Sequence, residues 1–171
     1  MQPQIDLVAV QALLDSLART PSEVSRLVNV VSKEHWRRRP TPEEFSVIEN
    51  VCHLRDIEVD GYAQRINRIL NEVNPTLADV DGARLAIERD YNSQELAPAL
   101  ETFKQTRARN VGLLRSSAAS DFERKGSLEG VGEIDLLRLI RMMNEHDEGH
   151  LQDLKRLGRT LEISDEDFQD L

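Results

Sequence analysis

Apolar residues recur every three or four positions through several long stretches of this 171-residue chain, and no segment sustains the polar/apolar alternation of a half-buried strand. A chain patterned this way folds as helices that bury one stripe against each other. Helix-start chemistry punctuates the stretches. Thr20-Pro21-Ser22-Glu23 and Ser46-Val47-Ile48-Glu49 each offer a hydroxyl cap and a glutamate three residues on, and Asn92-Ser93-Gln94-Glu95 is a looser version. Thr41-Pro42-Glu43-Glu44 lies too close to Ser46 to begin a long helix and predicts a single turn.

The reading is an all-α, four-helix bundle: helix one over residues 5–19 with a second piece over 21–31, helix two over 47–72, helix three over 94–117 and helix four over 133–157. A short extra helix over 83–91 fits the connection between helices two and three. Leu13, Leu17, Val24, Leu27, Val28 and Val31 form one stripe, interrupted at Thr20-Pro21, and Leu96, Leu100, Phe103, Leu113 and Leu114 form another. Residues 125–132, KGSLEGVG, read as a glycine-rich turn without the Lys-Ser/Thr ending of a phosphate loop. Residues 1–171 read as one domain, with 164–171 a loose acidic tail.

A net charge of −9 argues against nucleic acid as a partner, because phosphate binding relies on Lys and Arg. No apolar run approaches the roughly 20 residues of a membrane span, and the N-terminus lacks a secretory pattern. Cys52 is the only cysteine, which suits a reducing, cytoplasmic setting.

Helix four carries the sharpest chemical signal. His146 and His150 lie one turn apart on the inward stripe with Leu136, Leu139, Met143, Leu154 and Leu157. Two imidazoles there either grip one ion or hydrogen-bond as a core pair. Asp147 faces inward beside them, placed to orient a ligand or shuttle a proton, or to support an imidazole by a hydrogen bond. A helical wheel centred on Ile48, Val51, Val59, Tyr62 and Ile66 puts His53 on the opposite, polar side with Glu49, Asp56 and Asp60. That side reads as solvated, or as a cleft wall where Asp56 or Asp60 takes the second imidazole N–H. His35 sits in a loop beside Arg37, Arg38 and Arg39, which balance an acidic surface or meet an anionic substrate. Cys52 lies around the helix from His53 and reads as a small buried group, not a nucleophile.

These residues resemble the DinB-like (DNA-damage-inducible, YfiT-like) metal-binding four-helix bundles. The resemblance is carried by Trp36 and a proline-rich turn, then a helix opening Ser46-Val47-Ile48-Glu49 and holding His53-Leu54-Arg55-Asp56. Its second motif is His146-Asp147-Glu148-Gly149-His150-Leu151. Phe45 stands where a tryptophan is more usual, and Asp153 where many members have glutamine. The resemblance implies that His53, His146 and His150 are the ligands of one divalent transition metal (zinc, nickel, iron or copper), with open positions for chemistry. It also implies a small-molecule substrate and thiol-dependent S-transfer from a low-molecular-weight thiol to an electrophile. The alternatives are metal-dependent hydrolysis, a non-catalytic metal-binding or ligand-binding module, and a metal-free structural bundle. A homodimer is a further expectation from the family.

Overall fold

The structure, a computed structural model, describes residues 5–166, with side chains up to Leu161. The first helix, α1 (Leu7–Val30), is capped by Asp6, whose carboxylate accepts from Val8 N at 3.0 Å and Ala9 N at 3.1 Å. It does not break at Thr20-Pro21 as the capping pattern there predicts; Pro21 lies inside it. A proline at this position leaves the carbonyl four residues earlier, that of Leu17, without its helical donor. Here the buried guanidinium of Arg107 donates to Leu17 O at 3.1 Å and fills the gap. The apolar stripe therefore runs through, with Val10, Leu14, Leu17, Val24, Leu27 and Val28 all buried.

Residues 31–46 cross the end of the bundle, pinned by Trp36 Nε1 donating to Val31 O at 3.0 Å and by one turn closed from Glu44 N to Thr41 O at 3.3 Å. The capping box at Ser46 is present: Ser46 Oγ accepts from Glu49 N, and Glu49 accepts from Ser46 N. It opens α2 (Val47–Asp56), which continues through a π-helical turn (Ile57–Tyr62) into α3 (Ala63–Asn71) as one rod. Next come α4 (Gly82–Glu88), capped by Asp81, and α5 (Leu96–Ser116). No side chain caps α5, contrary to the pattern at 92–95. Asn92 is instead drawn into tertiary bonds, accepting from Ser46 Oγ at 2.7 Å and donating to Arg37 O at 3.0 Å. The last helix, α6, is Leu136–Glu166, so the first three residues of the expected tail are helical and residues 167–171 lie outside those described.

The purely helical expectation misses a small sheet. Strands β1 (Thr76–Leu77), β2 (Lys125–Leu128) and β3 (Gly132–Asp135) lie in that order, β1 parallel to β2 and β2 antiparallel to β3. The glycine-rich turn closes the hairpin, with Gly130 and Gly132 at φ of 76° and 101°, where a side chain would be strained. Strands of two to four residues carry too little alternation to be read in a sequence, and these are held by packing Leu77, Leu128 and Ile134 into the core. No helix among the described residues is long and apolar enough to cross a membrane.

In the bundle α1 packs on α5 and α6, and α2 packs on the same two, so α5 and α6 face each other across a diagonal. Its apolar interior is divided. One cluster joins Val10–Leu17 side chains, Ile66, Val111, Leu114 and the Leu136–Met143 face; the other joins Val24, Val28, Val51, Phe103, Leu154 and Leu157. Between them runs a buried polar layer of Thr20, Glu58, Thr106, Arg107, Asn110 and Asp147. Because Arg107 satisfies the orphaned carbonyl, Pro21→Ala should shift the urea-unfolding free energy by less than about 1 kcal/mol. An unprepared helix would gain about 3 kcal/mol from the same change.

Candidate metal centre

At the edge of the polar layer, α2 and α6 bring three imidazoles together. One nitrogen from each of His53, His146 and His150 lies within 4.8 Å of the other two. His53 Nε2 stands 3.1 Å from His146 Nε2, and the rings of His53 and His146 each lie 4.6 Å from that of His150, centroid to centroid. Nitrogen ligands about 2.0–2.1 Å from a tetrahedral zinc are about 3.3 Å apart, so this spacing suits a first-row ion. Phe45 packs on His53 at 5.5 Å and Tyr62 meets His146 edge-on at 5.9 Å, so aromatic walls flank the cluster.

Within α2 the wheel holds, and His53 stands on the side away from Ile48 and Val51. What it misjudges is what covers that polar side, because Glu49, Asn50 and Asp56 are 1–3% exposed. Each has a partner. Arg39 forks onto Glu49, Asn50 meets His150, and Asp56 accepts from Arg55, Tyr91 and Arg89.

Asn50 determines which nitrogen His150 offers. Its amide donates to Ser46 O at 3.0 Å, which leaves Asn50 Oδ1 to accept from His150 Nδ1 at 2.8 Å. His150 Nδ1 then carries the proton, and the lone pair is on Nε2. His53 Nδ1 and His146 Nδ1 are buried with no protein partner among the described residues. A bond between the two Nε2 atoms engages two of the three rings, whereas a cation between them draws a lone pair from all three, and the two Nδ1 atoms are unpaired either way. The donor set fits an ion better than a core hydrogen-bonded pair. Gly82, the first residue of α4, seats on the His53 ring. A Cβ there would fall 2.2 Å from His53 Cε1, so only glycine fits.

Two supporting roles expected from the sequence are corrected by the geometry. Asp56 does not bond His53; its oxygens are taken by Arg55 at 2.6 Å, Tyr91 at 2.7 Å and Arg89 at 2.7 Å. Asp147 does not bond either histidine of α6. Both its oxygens accept from Arg107, at 2.5 and 3.0 Å. Arg37 and Arg39 are structural anchors, Arg37 donating to Asn92 O and Gln94 O and Arg39 pairing with Glu49. His35 lies in the 3-10 turn Lys33–His35 and is not part of the cluster. Cys52 is fully buried, and burial pushes its thiol up to about 11, consistent with a packing role. Asn50, Gly82 and Arg107 were not read from the sequence, since each matters only through a partner on another element.

Burial holds the three rings neutral: His53 falls to about 4 and His146 to about 2, helped in each case by the neighbouring imidazoles, and His150 is lowered by burial against the pull of Asp153 and Asp147. An unfolded imidazole titrates near 6.5. Below about pH 6.5 the unfolded chain binds protons that the folded rings refuse. Their contribution is thus complete above that pH and is lost as pH falls toward 4. Metal-free protein should show a urea midpoint that holds from pH 7.5 to about 6.5 and falls from there to pH 5; an unchanged midpoint over the lower range would contradict buried, neutral rings.

A family model for the DinB superfamily matches residues 16–154. Among solved structures, YfiT from Bacillus subtilis superposes with a TM-score of 0.85 over 94% of this chain and 92% of that one, at 18% identity. It is described as a probable metal-dependent hydrolase with an unusual four-helix bundle topology. At that identity the likeness establishes the fold. No curated protein matches the sequence significantly. The helical bundle, the paired histidine motifs and a family match spanning most of the chain agree, and the protein belongs to the DinB superfamily.

Proposed function

We propose that this protein is a metal-dependent enzyme in which His53, His146 and His150 hold one divalent transition ion. The observation that carries the reading is the convergence of three neutral imidazoles, each offering a nitrogen within 4.8 Å of the others. Three neutral ligands leave coordination positions open, the pattern of catalytic and not of structural sites. A bound ion would supply Lewis acidity, lowering the pKa of a thiol or water and polarising a carbonyl.

The chain's own residues prepare the site for that chemistry. Burial keeps the rings unprotonated at neutral pH, Asn50 orients His150, and Phe45 and Tyr62 limit water around the cluster. A cleft of about 300 Å³, lined by Phe45, Asn50, Ala83, Glu43, Glu44, Asp153 and Arg156, opens beside the triad and has room for a small molecule. The buried carboxylates nearest the rings are committed, Asp147 to Arg107, Asp56 to Arg55 and Tyr91, and Glu49 to Arg39, while Glu43, Glu44 and Asp153 line the cleft itself. A thiol lowered in pKa by the ion would need no side-chain base, and S-transfer from a low-molecular-weight thiol to an electrophilic small molecule is the specific candidate. Hydrolysis is the second reading, supported by the description of YfiT.

Protein purified without a histidine tag should bind about one equivalent of zinc, nickel, iron or copper, and His150→Ala should weaken binding at least ~100-fold. Less than about a tenth of an equivalent, with none taken up on titration, would sink the metal reading. Metal-loaded protein assayed with thiols and model electrophiles, and with model esters and amides, separates transfer from hydrolysis; a rate insensitive to His150→Ala would place any activity elsewhere. Gly82→Ala should displace the His53 ring and weaken metal binding about tenfold or more, as losing support around a ligand does.

A further inference from the structure

Arg107 is a fully buried cation, its side chain 2% exposed, and four of its five N–H groups are used. From α5 it donates to Leu17 O of α1, to Glu58 of the π turn at 2.8 Å, and to both oxygens of Asp147 on α6. Glu58 is held from its other side by Asn110 at 2.7 Å. A single side chain thus ties all four walls of the bundle at one level.

Stability alone does not explain the cluster. Well-packed apolar residues in place of a buried ionic triad are commonly neutral or stabilising. What an apolar layer lacks is direction: it lets helices slide or rotate by fractions of a turn, whereas a forked guanidinium with two carboxylates does not. The bound carboxylates stand close to the ligands in the chain. Asp147 adjoins His146, and Glu58 lies five residues after His53 on the same rod. Between those two points the facing Nε2 atoms are 3.1 Å apart.

We infer that Arg107 is a positioning residue for the metal centre: its bonds to Glu58 and Asp147 set the separation and rotation of α2 and α6 at which the three imidazoles converge. This rests on the metal reading above. The test compares wild-type protein with Arg107→Lys, Asp147→Asn and the uncharged triple variant Glu58→Gln/Arg107→Met/Asp147→Asn. Unfolding and Co²⁺ affinity, by competition with a chromophoric chelator, are measured on each. The triple variant should fold with a urea midpoint near wild type yet bind Co²⁺ at least about tenfold more weakly, and Arg107→Lys, with charge but no fork, should not restore affinity. A folded triple variant binding within about twofold of wild type overturns the inference, because a purely structural cluster predicts that parity. Should the triple variant not fold, Asp147→Asn decides: a loss of about threefold or more supports the role and parity rejects it. If wild-type protein binds no Co²⁺, the metal reading fails by itself. The positioning role is then judged on ¹⁵N histidine spectra of the metal-free proteins, where changed His53 and His146 signals support it and identical spectra refute it.

Discussion

A guanidinium in the middle of a four-helix bundle is expensive to desolvate, by several kcal/mol even after relaxation, and the rest of the architecture is arranged around satisfying it. Arg107 collects Glu58, Asp147 and the carbonyl that Pro21 strands on α1. The proline and the arginine answer each other: one leaves an acceptor without a donor, the other brings a donor that needs an acceptor. Around them the core splits into two apolar halves, each of ordinary helical packing, with a polar layer between.

The histidine cluster follows from that division. Within either apolar half no polar neighbour such as Asn50 would hold a ring, while at full exposure the rings would protonate near pH 6.5 and repel a cation. At the rim of the polar layer they are half-buried, neutral and flanked by Phe45 and Tyr62. The outer contacts are as constraining as the rings: Asn50 fixes one tautomer, and Gly82 lets α4 close against another ring. The cleft beside this centre is lined by Phe45, which packs on His53, and Asn50, which bonds His150.

Much of the helical framework was legible because its signals are local. The Ser46–Glu49 box, the turn at Thr41–Glu44, the short helix after the second rod and the inward face of His146 and His150 all follow from spacing within a few turns. Where reading failed, a distant partner had changed the local rule. Thr20-Pro21 looked like a helix start because a proline's orphaned carbonyl has no local remedy; Arg107, 90 residues away from Leu17, supplies one. Asn92 looked like a cap and is instead a tertiary bond to Ser46. The hairpin was seen as a turn without its strands, which are too short to show a period.

The sequence by itself determined the helices, their apolar faces, the one-turn pairing of His146 with His150, and, through the resemblance of its two motifs, the family. These depend on 3.6-residue periodicity and side-chain chemistry that act within a single element. Only the tertiary structure decided that His53 joins them, that Asp56 and Asp147 serve arginines and not imidazoles, and that Asn50 and Gly82 shape the site. The polar side of α2 faces other elements and not water, so burial exchanges solvent for partners there. That exchange is not written in the spacing of one stretch of chain.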